Sequence, residues 1–165
     1  MKGITSLVVL SLTLIFSVSV SADTGAAKIF SVQGTASVER GKDTLNATEG
    51  LILFGGDEVV TGEPGRVAIE LPDGSYVRVA SGSRLKIVGD QDNLGLINGA
   101  MHFFSHSEKH PVIETQTVTA AIRGTECTWV ADAKQTTIAM ISGEVEGTSA
   151  DGSARLSAGQ GAHFR

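Results

Sequence analysis

Gly50-Leu-Ile-Leu-Phe-Gly-Gly56-Asp57-Glu-Val-Val-Thr61-Gly62, continued by Gly65-Arg-Val-Ala-Ile-Glu-Leu71-Pro-Asp73-Gly74-Ser75-Tyr-Val-Arg-Val79, is the stretch whose reading decides the fold class. Val67, Ile69 and Leu71 alternate with Ala68 and Glu70, and Val77 and Val79 alternate with Tyr76, Arg78 and Ala80. A period of two over four to six residues marks strands with one face buried. Gly55-Gly56-Asp57, Gly62-Glu-Pro64-Gly65 and Asp73-Gly74-Ser75 punctuate these runs with residues that tolerate chain reversal. The same grammar extends in both directions. Val32, Gly34, Ala36 and Val38 alternate upstream, and Asn98-Gly99, Ser142-Gly143 and Asp151-Gly152-Ser153 supply further turns. No capped window of period 3.6 interrupts it, so helices are expected to be few and short.

A weak internal repeat runs through this pattern. A glycine followed by an apolar residue four positions on recurs in Gly34-Thr-Ala-Ser-Val38, Gly65-Arg-Val-Ala-Ile69 and Gly99-Ala-Met-His-Phe103, and, one residue shorter, in Gly161-Ala-His-Phe164. Asp73-Gly74-Ser75 recurs as Asp151-Gly152-Ser153. Short glycine-punctuated rungs suit a solenoid-like stack of short strands, and an antiparallel β-sandwich produces similar patterns. Both stay open, within an all-β single domain.

Composition agrees with a folded chain. The sequence has 165 residues with 20 glycines, against the ~7% of glycine usual in proteins, and only 19% charged residues. A net charge of −5 argues against an electrostatic nucleic-acid partner. One cysteine, Cys127, excludes an internal disulfide framework and a Cys-rich zinc module. It alternates with Trp129 on an apolar strand and reads as a buried, inert thiol; an intermolecular disulfide is the other reading.

Residues 1–22 read as an export address. Lys2 precedes the apolar run Leu7-Val-Val-Leu-Ser-Leu-Thr-Leu-Ile-Phe16, and Val20-Ser21-Ala22 supplies a small-residue cleavage pattern before Asp23. The run is shorter than the ~20 apolar residues of a membrane span. A domain over 23–165, periplasmic or secreted from a bacterium, with no span left after cleavage, is the expectation.

Three blocks together resemble the FecR-domain family of bacterial periplasmic proteins. The first is the stretch quoted above. The second is Val118-Thr-Ala-Ala-Ile-Arg123-Gly124-Thr125-Glu-Cys-Thr-Trp129. The third is Ile141-Ser-Gly143-Glu-Val145, with Ala158-Gly159-Gln160 near the end. The resemblance implies an all-β, solenoid-like domain and a role in sensing or signalling outside the cytoplasm. The family's founding regulators also carry a cytoplasmic anti-sigma segment and a membrane helix. No residues ahead of the export address match these, so the fold and a binding role are expected to carry over and the anti-sigma activity is not.

The motif residues Gly56, Asp57, Thr61, Asp73, Gly74, Arg123, Gly124 and Thr125 read best as structural. Val118, Ala120 and Ile122 are even apolar positions, whereas Cys127 and Trp129 are odd. An irregularity at Gly124 would switch which side faces inward, as a β-bulge does. Arg123 is expected to pair with an internal carboxylate such as Asp57 and lock that bulge, with ligand binding as the second reading. Removing it should then cost the ~3–5 kcal/mol of a broken buried pair. Val at 124 should be excluded if the glycine needs positive φ. His102, His106 and His110 are spaced like a helical metal site, but on a straight strand the outer two lie about 26 Å apart, so no metal is assigned. There is no Gly-x-Ser-x-Gly elbow and no flagged carboxylate pair, so neither catalysis nor a cofactor is expected. Most of the aromatics, Phe30, Phe54, Tyr76, Phe103, Phe104, Trp129 and Phe164, read as core, which weakens a sugar-binding platform.

Two functional classes remain. One is a non-enzymatic module that recognises an envelope or extracellular protein. The other is an assembly protein whose copies self-associate through open strand edges. Export is checked directly: the mass of the native protein should correspond to a chain beginning at Asp23, and an intact Met1 terminus would overturn the assignment.

Overall fold

The computed structural model describes residues 27–89, 93–105, 107, 109 and 111–165. The export address and its cleavage site, His106 and His110 lie outside the described residues. Twelve strands follow one another: β1 (Ala27–Arg40), β2 (Asp43–Asn46), β3 (Ile52–Leu53), β4 (Glu58–Glu70), β5 (Tyr76–Val79) and β6 (Arg84–Val88). Then come β7 (Asn93–Phe104), β8 (Val112–Glu114), β9 (Thr119–Ala131), β10 (Thr136–Ser149), β11 (Gly152–Ser157) and β12 (Gly161–Phe164). No helix occurs among the described residues, and none is therefore long and apolar enough to cross a membrane. The all-β expectation holds.

All twelve strands belong to one sheet, and every pairing except β7–β8 is antiparallel. Five strands, β1, β4, β7, β9 and β10, run 12–14 residues and change partners along their length. The β4 segment 67–70 pairs with β5, while 58–60 pairs with β6. β7 pairs with β6 and β8 over its first half and with β5 over its second. β10 pairs with β12 over its first half and β11 over its second. The sheet therefore has two halves joined by shared long strands. Their buried side chains form one cluster, which includes Ile29, Ile69, Phe103 and Trp129 from one half and Val59, Leu85, Leu94 and Ile122 from the other. This cluster is continuous across both halves.

A glycine or a glycine-bounded segment sits at each fold line. Gly34, Gly99, Gly124 and Gly143 have φ of 69°, 96°, 52° and 77°, and β4 turns through Gly62–Gly65. The buried alternation changes parity across Gly99, Gly124 and Gly143, whereas β4 keeps Val59, Thr61, Val67 and Ile69 inward at one parity. In β7 it passes from Leu94 and Leu96 to Met101 and Phe103; in β9 from Ala120 and Ile122 to Thr125, Cys127 and Trp129. In β10 it passes from Ile138 and Met140 to Val145. An inserted left-handed residue rotates the strand by one side-chain position, so one strand serves two opposing inner faces. Asp73-Gly74-Ser75 closes the β4–β5 hairpin as an Asx turn. Asp73 Oδ1 accepts from Ser75 N at 2.9 Å, and Gly74 has φ 83°.

The fold lines are also close-packed. A Cβ on Gly143 would overlap the Gly124 carbonyl oxygen and lie 2.7 Å from Arg123 O, whereas a Cβ on Gly124 would meet nothing within 4 Å. Both glycines are left-handed, but only Gly143 is also a close approach. Gly143→Ala should cost about 2–5 kcal/mol, the sum of backbone strain and overpacking, and Gly124→Ala about 1–2 kcal/mol from strain alone. Urea denaturation of the two variants beside the parent protein checks this ranking.

Candidate functional site

The motif residues are distributed along the fold lines rather than gathered into one site. Gly56 (φ 95°) and Asp57 close the turn into β4; Asp57 N donates to Phe54 O at 3.0 Å and Gly56 N to Ile87 O at 2.8 Å. The Asp57 carboxylate is buried and accepts from Phe54 N at 2.9 Å, from Arg40 Nε at 2.9 Å and from Arg40 Nη2 at 2.7 Å. Arg40 stacks over the Phe54 ring at 4.6 Å and donates to Ile52 O. Thr61, 4% exposed, donates its hydroxyl to Ala80 O and accepts from Ser83 N at 2.9 Å, tying β4 to the β5–β6 turn. Thr125, within β9, is buried, and its carbonyl accepts from Ser105 N.

Arg123 does not pair with Asp57. Its side chain is exposed on the outer face of the second half-sheet, in register with Glu144 and bordering a shallow depression with Glu146 and Arg155. The reason is parity: Ile122 points inward, so its neighbour Arg123 points out, and the left-handed step falls only after it. Arg40, at the end of β1, reaches the Asp57 turn instead.

The other half-sheet carries a different kind of outer face. Strand register places Tyr76 beside Phe104 and Phe104 beside Glu126 in one row. The next row runs Ser31, Ala68, Arg78, His102, Thr128. A third holds Gln33 and Arg66, with Ala80 and Ala100 joined by a backbone hydrogen bond of 2.9 Å. Small residues at Ser31, Ala68, Ala80 and Ala100 form the floor, and the larger side chains stand around it. The result is an open trough with two adjoining hollows of about 430 and 520 Å³. Both lie in the range of ~300–1,000 Å³ typical of ligand sites.

Aromatics occupy one end. Phe30 is 51% exposed and meets Tyr76 edge-on, with centroids 5.5 Å apart and ring planes at 83°. The register skips a residue between Ile29 and Ser31, and this bulge turns Phe30 out of the core. Phe103, Trp129 and Phe164 are core residues, but Phe30, Tyr76 and Phe104 are not. In Phe103-Phe104 alternation sends one ring to each face. His102 lies midway along the trough, with Nδ1 3.1 Å from Thr128 Oγ1 and Nε2 3.1 Å from Glu126 Oε1. No group of three metal-ligating side chains occurs among the described residues. Cys127 is fully buried under the trough, where Trp129 Nε1 donates to its sulfur at 3.2 Å, and burial pushes its thiol pKa up. That position leaves no route to a disulfide with a second copy in the folded state.

The sequence alone does not single out Arg66 or Arg78, and it groups Phe30, Tyr76 and Phe104 with aromatics that read mostly as core. The signal is present for Arg66, Tyr76, Arg78 and Phe104, the outward neighbours of Val67, Val77, Val79 and Phe103, whereas Phe30 is turned out by the bulge beside it. What was missing was which strands lie side by side.

A family model described as FecR protein matches residues 57–146. No curated protein matches the chain. Two crystal structures of a "putative anti-sigma factor" from Parabacteroides distasonis, at 1.65 and 2.50 Å resolution, share its fold. Each gives a TM-score of 0.57 at 18% identity, covering 64% of this chain and 53% of that one. The chain thus spans about half the length of those proteins.

The reassigned ion pair makes a contrast that denaturation can measure. Arg40→Ala strands a buried carboxylate and should cost about 2–3 kcal/mol, less than a fully buried pair because Arg40 is itself 35% exposed. Arg123→Ala should stay within about ±0.5 kcal/mol of the parent protein, as for other exposed positions.

Proposed function

The chain belongs to the FecR protein family, and from that premise we propose that it is a non-enzymatic binding and signalling module that works outside the cytoplasm and recognises another protein of the envelope or exterior. The observation that carries this reading is the trough across β1, β4, β5, β7 and β9. It joins an exposed aromatic end to a floor of small residues. Exposed aromatics and arginines around a concave, largely preformed surface are what protein-recognition sites use. The export address supports the compartment, and the family match supports the signalling role. The strands follow one another along both halves of the sheet nearly in chain order, which supports a solenoid-like description of the doubled sheet. The facing of two antiparallel halves supports a sandwich description instead.

Self-assembly is the second reading, favoured by the open edges at β2, β3, β11 and β12, which each pair on one side only. Photo-crosslinking in the native envelope separates the two. A photoreactive residue at Thr128, in the trough, should give a discrete adduct with a second protein, and one at Thr148, on the other half, should not. Adducts of the chain with itself, together with concentration-dependent light scattering, would favour assembly and overturn recognition of a different protein.

A further inference from the structure

Three of the seven arginines, Arg40, Arg84 and Arg155, have a carboxylate partner. Arg40 holds Asp57, Arg84 bridges Glu39 and Glu58 at 2.6 Å each, and Arg155 meets Glu146 at 3.2 Å. Arg66 and Arg78 are different. Both stand exposed in the trough, with no carboxylate of the described residues within ion-pair distance, on a chain with 18 acidic and 13 basic residues. The acidic groups nearest them along the face are committed elsewhere: Glu126 to His102 and Glu70 to Lys28 at 2.9 Å.

Their placement sharpens the point. Val67 pairs with Val79 and Ala68 with Arg78, so Arg66 falls opposite position 80 and diagonal to Arg78 on one face. Diagonal neighbours on adjacent strands lie ~7–8 Å apart, close enough for two guanidinium groups to converge on one anion and for their charges to repel without it. Arginine forks bind carboxylates in a planar, two-point manner. The floor beneath them is alanine at 68, 80 and 100, so a ligand can approach the sheet closely.

An anion alone would leave the other end of the trough unused. Tyr76 lies two residues from Arg78 on the same strand, a separation of ~6.6–6.8 Å. That is also the distance between side chains i and i+2 on one face of any extended chain. The rings there are edge-to-face at 83°, which offers a notch for an apolar side chain rather than the flat platform a sugar ring stacks on. Building on the reading of the trough as the recognition face, we infer that its ligand is an extended segment of a partner protein in which an aspartate or glutamate stands two residues from a large apolar side chain. The carboxylate sits between Arg66 and Arg78, and the apolar side chain packs against Phe30, Tyr76 and Phe104.

The probe is an acetylated, amidated pentapeptide, Thr-Phe-Thr-Asp-Thr, titrated into the isotopically labelled exported protein and followed by amide NMR shifts. Saturable shifts should centre on Ala68, Arg78, His102 and Thr128. The counterpart with Lys in place of Asp should bind at least about tenfold more weakly. Arg66→Glu with Arg78→Glu should abolish the shifts, and Arg66→Gln with Arg78→Gln should weaken them. Arg123→Glu, on the other half, should leave them intact. Equal binding of the lysine peptide, shifts lying elsewhere, or no saturable response would overturn the inference. So would binding of a uronic-acid oligosaccharide at the same residues in preference to the peptide. If the Thr128 crosslink to a second protein persists undiminished in the Arg66→Glu, Arg78→Glu protein, the trough remains the recognition face and the anionic chemistry fails. Loss of that adduct in this double variant alone supports both.

Discussion

The core of this molecule depends on five long strands, three of which change their inward side once at a left-handed glycine. Among the described residues no helix covers the sheet's apolar face, so its own strands supply the cover. Folding over could be done by breaking each strand at the bend, but then every broken end would lose ladder hydrogen bonds. Here four of the five long strands carry a left-handed glycine at the fold line instead, and the fifth turns through Gly62–Gly65. Pairing continues on either side, and at Gly99, Gly124 and Gly143 the side-chain parity resets. The core is continuous across both halves for this reason.

The charged groups divide according to what this bend leaves available. Arg40 and Arg84 sit where β1, the β3–β4 turn, β4 and β6 come together, and each joins pieces distant in sequence. Hydrogen bonding to Arg84 holds the Glu39 carboxyl below its ordinary pKa of 4.5, so this link weakens as acid protonates the glutamate. Arg66 and Arg78 stand on the outer face of the opposite half and stitch nothing together. The two kinds of arginine are chemically identical and serve different ends because of their neighbours.

The trough is also not coextensive with the family match. Phe30, Ser31 and Gln33 come from β1, which precedes the matched residues, whereas Tyr76, Arg78, His102 and Thr128 fall within them. The common part of the fold thus contributes the floor and the cations, and a strand ahead of it contributes the exposed ring. A bulge beside Phe30 makes that contribution by rotating the ring out of the core.

By itself the sequence determined the strand class, most of the core and the turns at Gly56, Gly74 and Gly152, whereas Gly62–Gly65, Gly99 and Gly143, expected as chain reversals, lie inside long strands. Alternation of Val67, Ile69 and Leu71, or of Val77 and Val79, is a local property that survives any arrangement of the strands. It also located the parity switch at Gly124, because apolar residues change from even to odd there. Only the tertiary structure decided what the outward residues meet. Arg123 and Arg40 are equally polar and equally near a glycine in sequence, yet one faces solvent and the other grips Asp57. The aromatics divided in the same way, since Phe103 and Phe104 differ by one position and so lie on opposite faces. Periodicity states which side of a strand is buried. Which strands adjoin, and hence which exposed groups share a surface, follows from long-range pairing that no local window contains.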